Sequence, residues 1–154
     1  MALEVDQPAP DFELRDQHGQ KVSLSSYKGH KSVVLVFYPW AFSRVCTGEL
    51  CEIRDNLPNF VSDDVQLLAI SCDPMFSLRA FADQDELEFP LLSDFWPHGD
   101  VSLKYDVFNA ERGCSSRSTF IIDKDGVLRW SVHNAMPDAR DLAEYSRVLK
   151  EIAG

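Results

Sequence analysis

The chain has no basic face to offer. Its 15 Lys and Arg are outnumbered by 25 Asp and Glu, giving a formal charge of −10 and a pI near 4.7, and no Lys/Arg cluster breaks the acidic average. Nucleic acid and anionic membrane surfaces both require concentrated positive charge, so neither is an expected partner. Long apolar runs are missing too. The longest, Val33 to Tyr38, falls far short of the ~20 residues that span a bilayer, and the opening MALEVDQPAP has no basic segment followed by an apolar one. The expected location is cytoplasmic. Nor is there a C-x-x-C pair: Cys46, Cys51, Cys72 and Cys114 are scattered, and His18, His30, His98 and His133 stand alone. In a reducing compartment such cysteines are free thiols, which removes a disulfide framework, and their spacing fits no structural zinc site. No metal or other cofactor is expected.

What is present suits one compact domain over residues 1–154: 45% of positions are hydrophobic, and no repeat, linker or low-complexity stretch interrupts them. Short β-type runs alternate with helical ones. Residues 11–14 and 21–24 flank the turn-like segment 16–19 and predict a hairpin. The apolar run from Ser32 to Tyr38 predicts a central strand buried on both faces. Pro39 ends it, and from about Ser43 the residues Val45, Leu50, Ile53 and Leu57 recur at helical intervals up to Pro58. A second buried strand is expected over 65–71, a helix over 75–84, a short strand over 90–92 and a short helix over 101–105. Strands at 119–122 and 127–132 flank Asp123–Gly126, whose Asp-Lys-Asp-Gly composition favours a tight turn. A last amphipathic helix, about 139–152, carries Leu142, Tyr145, Val148, Leu149 and Ile152 on one face. That order predicts an α/β domain of thioredoxin-like fold, a central mixed sheet with helices on both faces, with its active end at the carboxyl ends of the strands.

The chemistry concentrates at that end. Pro39-Trp40-Ala41-Phe42-Ser43-Arg44-Val45-Cys46 places Cys46 in the first turn of the helix that follows the central strand. Unpaired backbone N–H groups and the positive end of the helix dipole favour a thiolate there, the reactive form of cysteine. Ser43 is a candidate N-cap whose hydroxyl can turn toward the sulfur or toward an oxygen bound beside it. Pro39 fixes the strand-to-helix turn and removes one N–H from the pocket.

The P-x-x-x-[T/S]-x-x-C pattern formed by Pro39, Ser43 and Cys46 resembles the peroxiredoxin signature, and Arg117 in Arg117-Ser118-Thr119-Phe120-Ile121-Ile122 resembles that family's second-site arginine. The likeness extends over nearly the whole chain, through Ala9-Pro10-Asp11-Phe12, Phe89-Pro90-Leu91-Leu92-Ser93-Asp94 and Gly113. Ser93 to Gly99 and Gly48-Glu49-Leu50 look closest to the AhpE-type (alkyl hydroperoxide reductase E, one-Cys) peroxiredoxins of actinobacteria. The resemblance implies a thiol peroxidase acting on hydrogen peroxide, organic hydroperoxides and peroxynitrite. Cys46 would attack the terminal peroxide oxygen and become a sulfenic acid. Ser43 and the Val45 and Cys46 amides would hold the peroxide, Arg117 would stabilise the charge, and Glu49, one turn along, would orient an arginine. A thiol reductant of thioredoxin, mycoredoxin or mycothiol kind and a homodimer are the implied partners.

Ionisation of Cys46 cannot supply the rate by itself. A thiol of ordinary pKa is already about 3% ionised at pH 7, so full ionisation gains only about 30-fold. Most of the acceleration must come from groups that bind the stretched O–O bond better than the intact peroxide.

Other residues have plainer readings. Cys72 follows an apolar strand and reads as packing, Cys114 as an exposed loop thiol and His98 as a loop residue. Trp40, Phe42, Phe95 and Trp96 read as core or pocket wall, with an interface patch as the alternative. Cys51 is a candidate resolving thiol, but five helical positions from Cys46 means about 7.5 Å of rise and about 140° of rotation. That puts the Cα atoms about 8 to 9 Å apart, beyond disulfide reach unless the helix unwinds. The spacing resembles the bacterioferritin-comigratory (PrxQ-type) peroxiredoxins, whereas the AhpE-type pattern has no cysteine there, so two resetting routes stand open. A thiol–disulfide oxidoreductase on the same fold would want a C-x-x-C that is missing. A peroxide-sensing relay would use the same Cys46 chemistry.

Overall fold

The computed structural model describes residues 3–56, 62–133 and 142–153. Strands β1 (Glu13–Arg15) and β2 (Lys21–Ser23) form the expected hairpin, and a turn of 3-10 helix (Leu24–Tyr27) leads to β3 (Ser32–Phe37). Every residue of β3 is buried. Then follow α1 (Arg44–Asp55), β4 (Val65–Ser71), α2 (Met75–Asp85), β5 (Leu91–Ser93) and α3 (Asp100–Lys104). The chain continues through β6 (Phe108–Asn109), β7 (Cys114–Ser115), β8 (Ser118–Ile122), β9 (Leu128–His133) and α4 (Leu142–Ala153). α1 ends at Asp55 with Asn56 as its C-cap, short of the expected end at Pro58, and the expected helix start at 139–141 lies outside the described residues.

The main sheet runs β2-β1-β5-β4-β3-β8-β9. β3, β4 and β5 are parallel, and β8 runs antiparallel to β3, so the sheet is mixed as expected. Period-two alternation splits β3 between two cores. Val34, Val36 and Tyr38 face Leu50 and Ile53 of α1, Phe81 of α2 and Tyr145 of α4. Val33, Leu35 and Phe37 face Leu24, Val101 of α3, Tyr105 and Val107. Helices therefore cover both faces, three on one and the short α3 on the other. Burying Leu50 and Ile53 contributes about 1.5–3 kcal/mol each, which docks α1 by its inner face.

The register decides what meets at the active end. Phe37, the last residue of β3, lies opposite Ser118, the first of β8, which brings Arg117 beside the turn into α1. The small β6–β7 pair was not expected, because two-residue strands leave no periodic signal. It corrects the reading of Cys114, which is fully buried in β7 rather than exposed on a loop. Gly99 serves the same region. Its φ is +73°, and a Cβ there would fall 2.3 Å from the Phe108 ring.

Candidate active site

Ser43 has extended φ/ψ (−69°, 147°), and its Oγ accepts the Cys46 N–H at 3.3 Å, so it is the N-cap the sequence implies. The helix proper starts with Thr47 N–H to Ser43 O at 2.8 Å. Cys46 thus lies in the first turn, as expected. Its amide, which was assigned to the peroxide, is engaged by the cap, although 3.3 Å is a long bond that an incoming oxygen can displace. Pro39 is buried two residues after β3 and needs no N–H partner there.

Arg117 is only 2% exposed, and its guanidinium reaches both Cys46 and Glu49. Nη2 donates toward Cys46 Sγ at 3.5 Å, while Nη1 forms a close ion pair with Glu49. Glu49 is likewise buried, three residues and one turn beyond Cys46 on the same side of α1. A buried guanidinium without a counter-charge would be expensive, and Glu49 supplies it from the helix that carries the thiol. The structure therefore brings Ser43, Cys46, Glu49 and Arg117 together, with Pro39 on the loop that leads into α1. Cys46 is itself 0% exposed, so its sulfur lies beneath the surface at this end of the sheet.

The remaining thiols have different surroundings. Cys51 is half-buried further along α1, pushed up by desolvation with Arg54 opposing. Burial likewise raises Cys72, which contacts Ser115 Oγ at 3.6 Å, in keeping with a packing role. Cys114 is pushed up to about 11, first by burial and then by neighbouring Cys72. All three are held as protonated thiols at neutral pH. Cys46 and Cys51 are both free and joined by unbroken helix, so a bond between them demands the unwinding argued from spacing.

Two further placements matter. His98 contacts the carbonyl oxygens of Phe95 (3.2 Å) and Gly113 (2.7 Å), a tie between loops. Trp40, Phe42, Phe95 and Trp96 are exposed, Trp96 by 82%, which places these aromatics on the surface rather than in the core. Asp73 was given no role by the sequence. Its Oδ2 accepts both the Ala41 N–H (2.8 Å) and the Ser71 hydroxyl (2.7 Å), so it ties the loop before Cys46 to the end of β4. The available signal was an acidic residue just past a strand at the active end. A cavity of about 300 Å³ lined by Pro8, Leu24, Tyr27 and Val127 lies at the opposite end of β3, where no cysteine lines it.

The AhpC/TSA family model matches residues 5–131. Alkyl hydroperoxide reductase E of Mycobacterium tuberculosis is 48% identical over 139 residues, covering 90% of this chain and 91% of that protein. Among solved structures, peroxidoxin BcpB from Mycobacterium tuberculosis superposes with a TM-score of 0.85 at 30% identity, over 97% of this chain and 98% of that one. The mitochondrial 2-cys peroxiredoxin from Plasmodium falciparum gives 0.86 at 30% identity, over 97% and 94%.

Proposed function

Since the chain belongs to the AhpC/TSA family of peroxiredoxins and is a thiol-dependent peroxidase, we propose that Cys46 is the thiol that attacks the peroxide. The supporting observation is the buried Arg117 guanidinium, fixed by Glu49 and 3.5 Å from Cys46 Sγ. The sulfur forms a bond to the terminal oxygen of ROOH as the O–O bond breaks. The leaving RO⁻ takes a proton and departs as ROH, and Cys46 becomes a sulfenic acid. Arg117 holds positive charge where negative charge develops, and Ser43 Oγ turns from the Cys46 amide toward the peroxide. Glu49 keeps the guanidinium aimed, and Pro39 shapes the turn.

Substrates are hydrogen peroxide and organic hydroperoxides, with peroxynitrite as a further oxidant of the same sulfur. An external thiol of thioredoxin, mycoredoxin or mycothiol kind completes the cycle. It displaces water from the sulfenic acid to form a mixed disulfide, and a second thiol releases Cys46. Cys51 offers the competing route through a Cys46–Cys51 bond. A loss of two hydrogens after one equivalent of peroxide is its signature by mass spectrometry. The protein acts in the cytoplasm as a homodimer built on the exposed aromatics at the active end, Trp40, Phe42, Phe95 and Trp96. A monomer mass by light scattering at tens of micromolar would contradict the assembly. The function itself is tested by Cys46→Ser, which keeps the fold and loses peroxide turnover. Turnover retained in that variant would overturn the assignment.

A further inference from the structure

We infer that Asp73 is a positioning residue for Cys46: by holding the Ala41 N–H, its carboxylate sets the loop that delivers Ser43 and the first turn of α1. The inference rests on Cys46 being the peroxidatic thiol.

The loop from Pro39 to Ser43 is short and awkward. Pro39 has no N–H, Phe42 is left-handed at φ +67°, and the turn bond from Ser43 N–H to Trp40 O is a long 3.4 Å. A non-glycine residue held left-handed persists only where its surroundings enforce it. Two anchors do so here. The Phe42 ring packs against Phe81 of α2, with centroids 5.1 Å apart, and the Ala41 N–H donates to Asp73 Oδ2 at 2.8 Å. The Asp73 contact ties the middle of this loop to the segment that follows β4, 32 positions along the chain.

Asp73 is well fixed for the task. Its carboxylate accepts from Ser71 Oγ at 2.7 Å, at the end of β4, and its carbonyl accepts from Ser93 Oγ at 2.6 Å, at the end of β5. The ends of two parallel strands therefore fix the acceptor, and the acceptor fixes the residue two places before the N-cap. A charged acceptor makes the stronger and more directional hold. The capped first turn carries the sulfur, and the alignment of sulfur, Ser43 Oγ and peroxide depends on it.

The test is stopped-flow tryptophan fluorescence of the reduced full-length protein against hydrogen peroxide, with iodoacetamide alkylation of Cys46 in parallel. Asp73→Ala is expected to lower the peroxide rate constant about 10- to 100-fold. Alkylation, which needs the sulfur but not the aligned loop, stays unchanged or becomes faster. Asp73→Asn keeps an oxygen that accepts from Ala41 and Ser71, and returns the peroxide rate to within about threefold of the parent. A parental peroxide rate in Asp73→Ala, alkylation falling in step with it, or Asp73→Asn no better than Asp73→Ala would each overturn the inference. If parental Cys46 does not react with peroxide at all, the peroxidase assignment of Cys46 has failed instead.

Discussion

At the carboxyl end of β3 the charges are buried and share partners; at its other end they are exposed and paired along the surface. Arg117 and Glu49 are almost fully enclosed, with Cys46 as the third member. At the opposite end Lys124 meets Asp64 at 2.7 Å, and Arg129 meets Asp123 (2.6 Å) and Asp6 (2.8 Å), all with exposed side chains except that of Asp123, which is 12% exposed. The carboxyl groups respond in opposite directions. Burial lifts Asp73 and Asp94 above the ordinary range, against the hydrogen bonds they accept. Asp64 is held low by Lys124, and Asp123 is held low by Arg129 and two backbone N–H groups, which outweigh its desolvation. Solvated pairs cost little to assemble and contribute little. Buried charges are costly, and this fold concentrates them where a peroxide bond has to be polarised.

The sharpest way to break this contrast is to remove one buried partner. Glu49→Ala removes the carboxylate that pairs with buried Arg117 and should cost about 3–5 kcal/mol of unfolding free energy. Arg117→Ala should lower the peroxide rate constant about 10²- to 10³-fold. The double variant Glu49→Leu with Arg117→Met should recover most of the stability and none of the activity, since apolar replacements remove the desolvation penalty along with the chemistry. Urea titration and single-turnover kinetics on the three proteins check this. A double variant that turns over peroxide at the parental rate would show that the pair is merely structural.

Acidification probes the same contrast with a smaller effect. Asp94 accepts from Val101 N–H, Ser102 N–H and Ser102 Oγ, with Asp100 as its charged neighbour. Its folded-state value is raised, so the folded chain binds that proton more tightly than the unfolded chain does. The contribution to stability therefore grows as pH falls through the folded value. Relative to Asp94→Asn, the parent should gain melting temperature as the pH falls from neutral toward the ordinary carboxylate range. Asp64 and Asp123, held low, contribute stability that is lost only at lower pH. A parent that loses ground to Asp94→Asn over that range contradicts the assignment. The smallest effect is expected at the far end. Lys124→Ala should leave the peroxide rate unchanged and the melting temperature within about 3 °C.

How much of this the sequence discloses varies by element. β3, β4 and the start of α1 are legible because an apolar run, a proline and a serine cap are local signals, and the structure places them within a residue or so of expectation, whereas α1 ends at Asp55, short of Pro58. Glu49 is legible from its one-turn spacing to Cys46, once an arginine is known to be near. Arg117 itself is not readable from spacing. Its place depends on the antiparallel register of β8 on β3, 71 positions away from Cys46, and only the family resemblance points to it. Asp73 lies 32 positions from Ala41 and meets it only because β4 pairs beside β3. The burial of Cys114 follows from the unforeseen β6–β7 pair. Complete burial of Cys46 has no local signature either, since it depends on how α1 and the loop close over the sheet.

The central claim is that one sulfur, at the end with buried charges, takes the oxygen. The direct test is to give the reduced protein one equivalent of hydrogen peroxide in the presence of a sulfenic-acid trap and locate the label by peptide mass spectrometry. The account predicts label on the peptide that contains Cys46, with Cys51, Cys72 and Cys114 unlabelled. Label on any of those three with Cys46 untouched would contradict it.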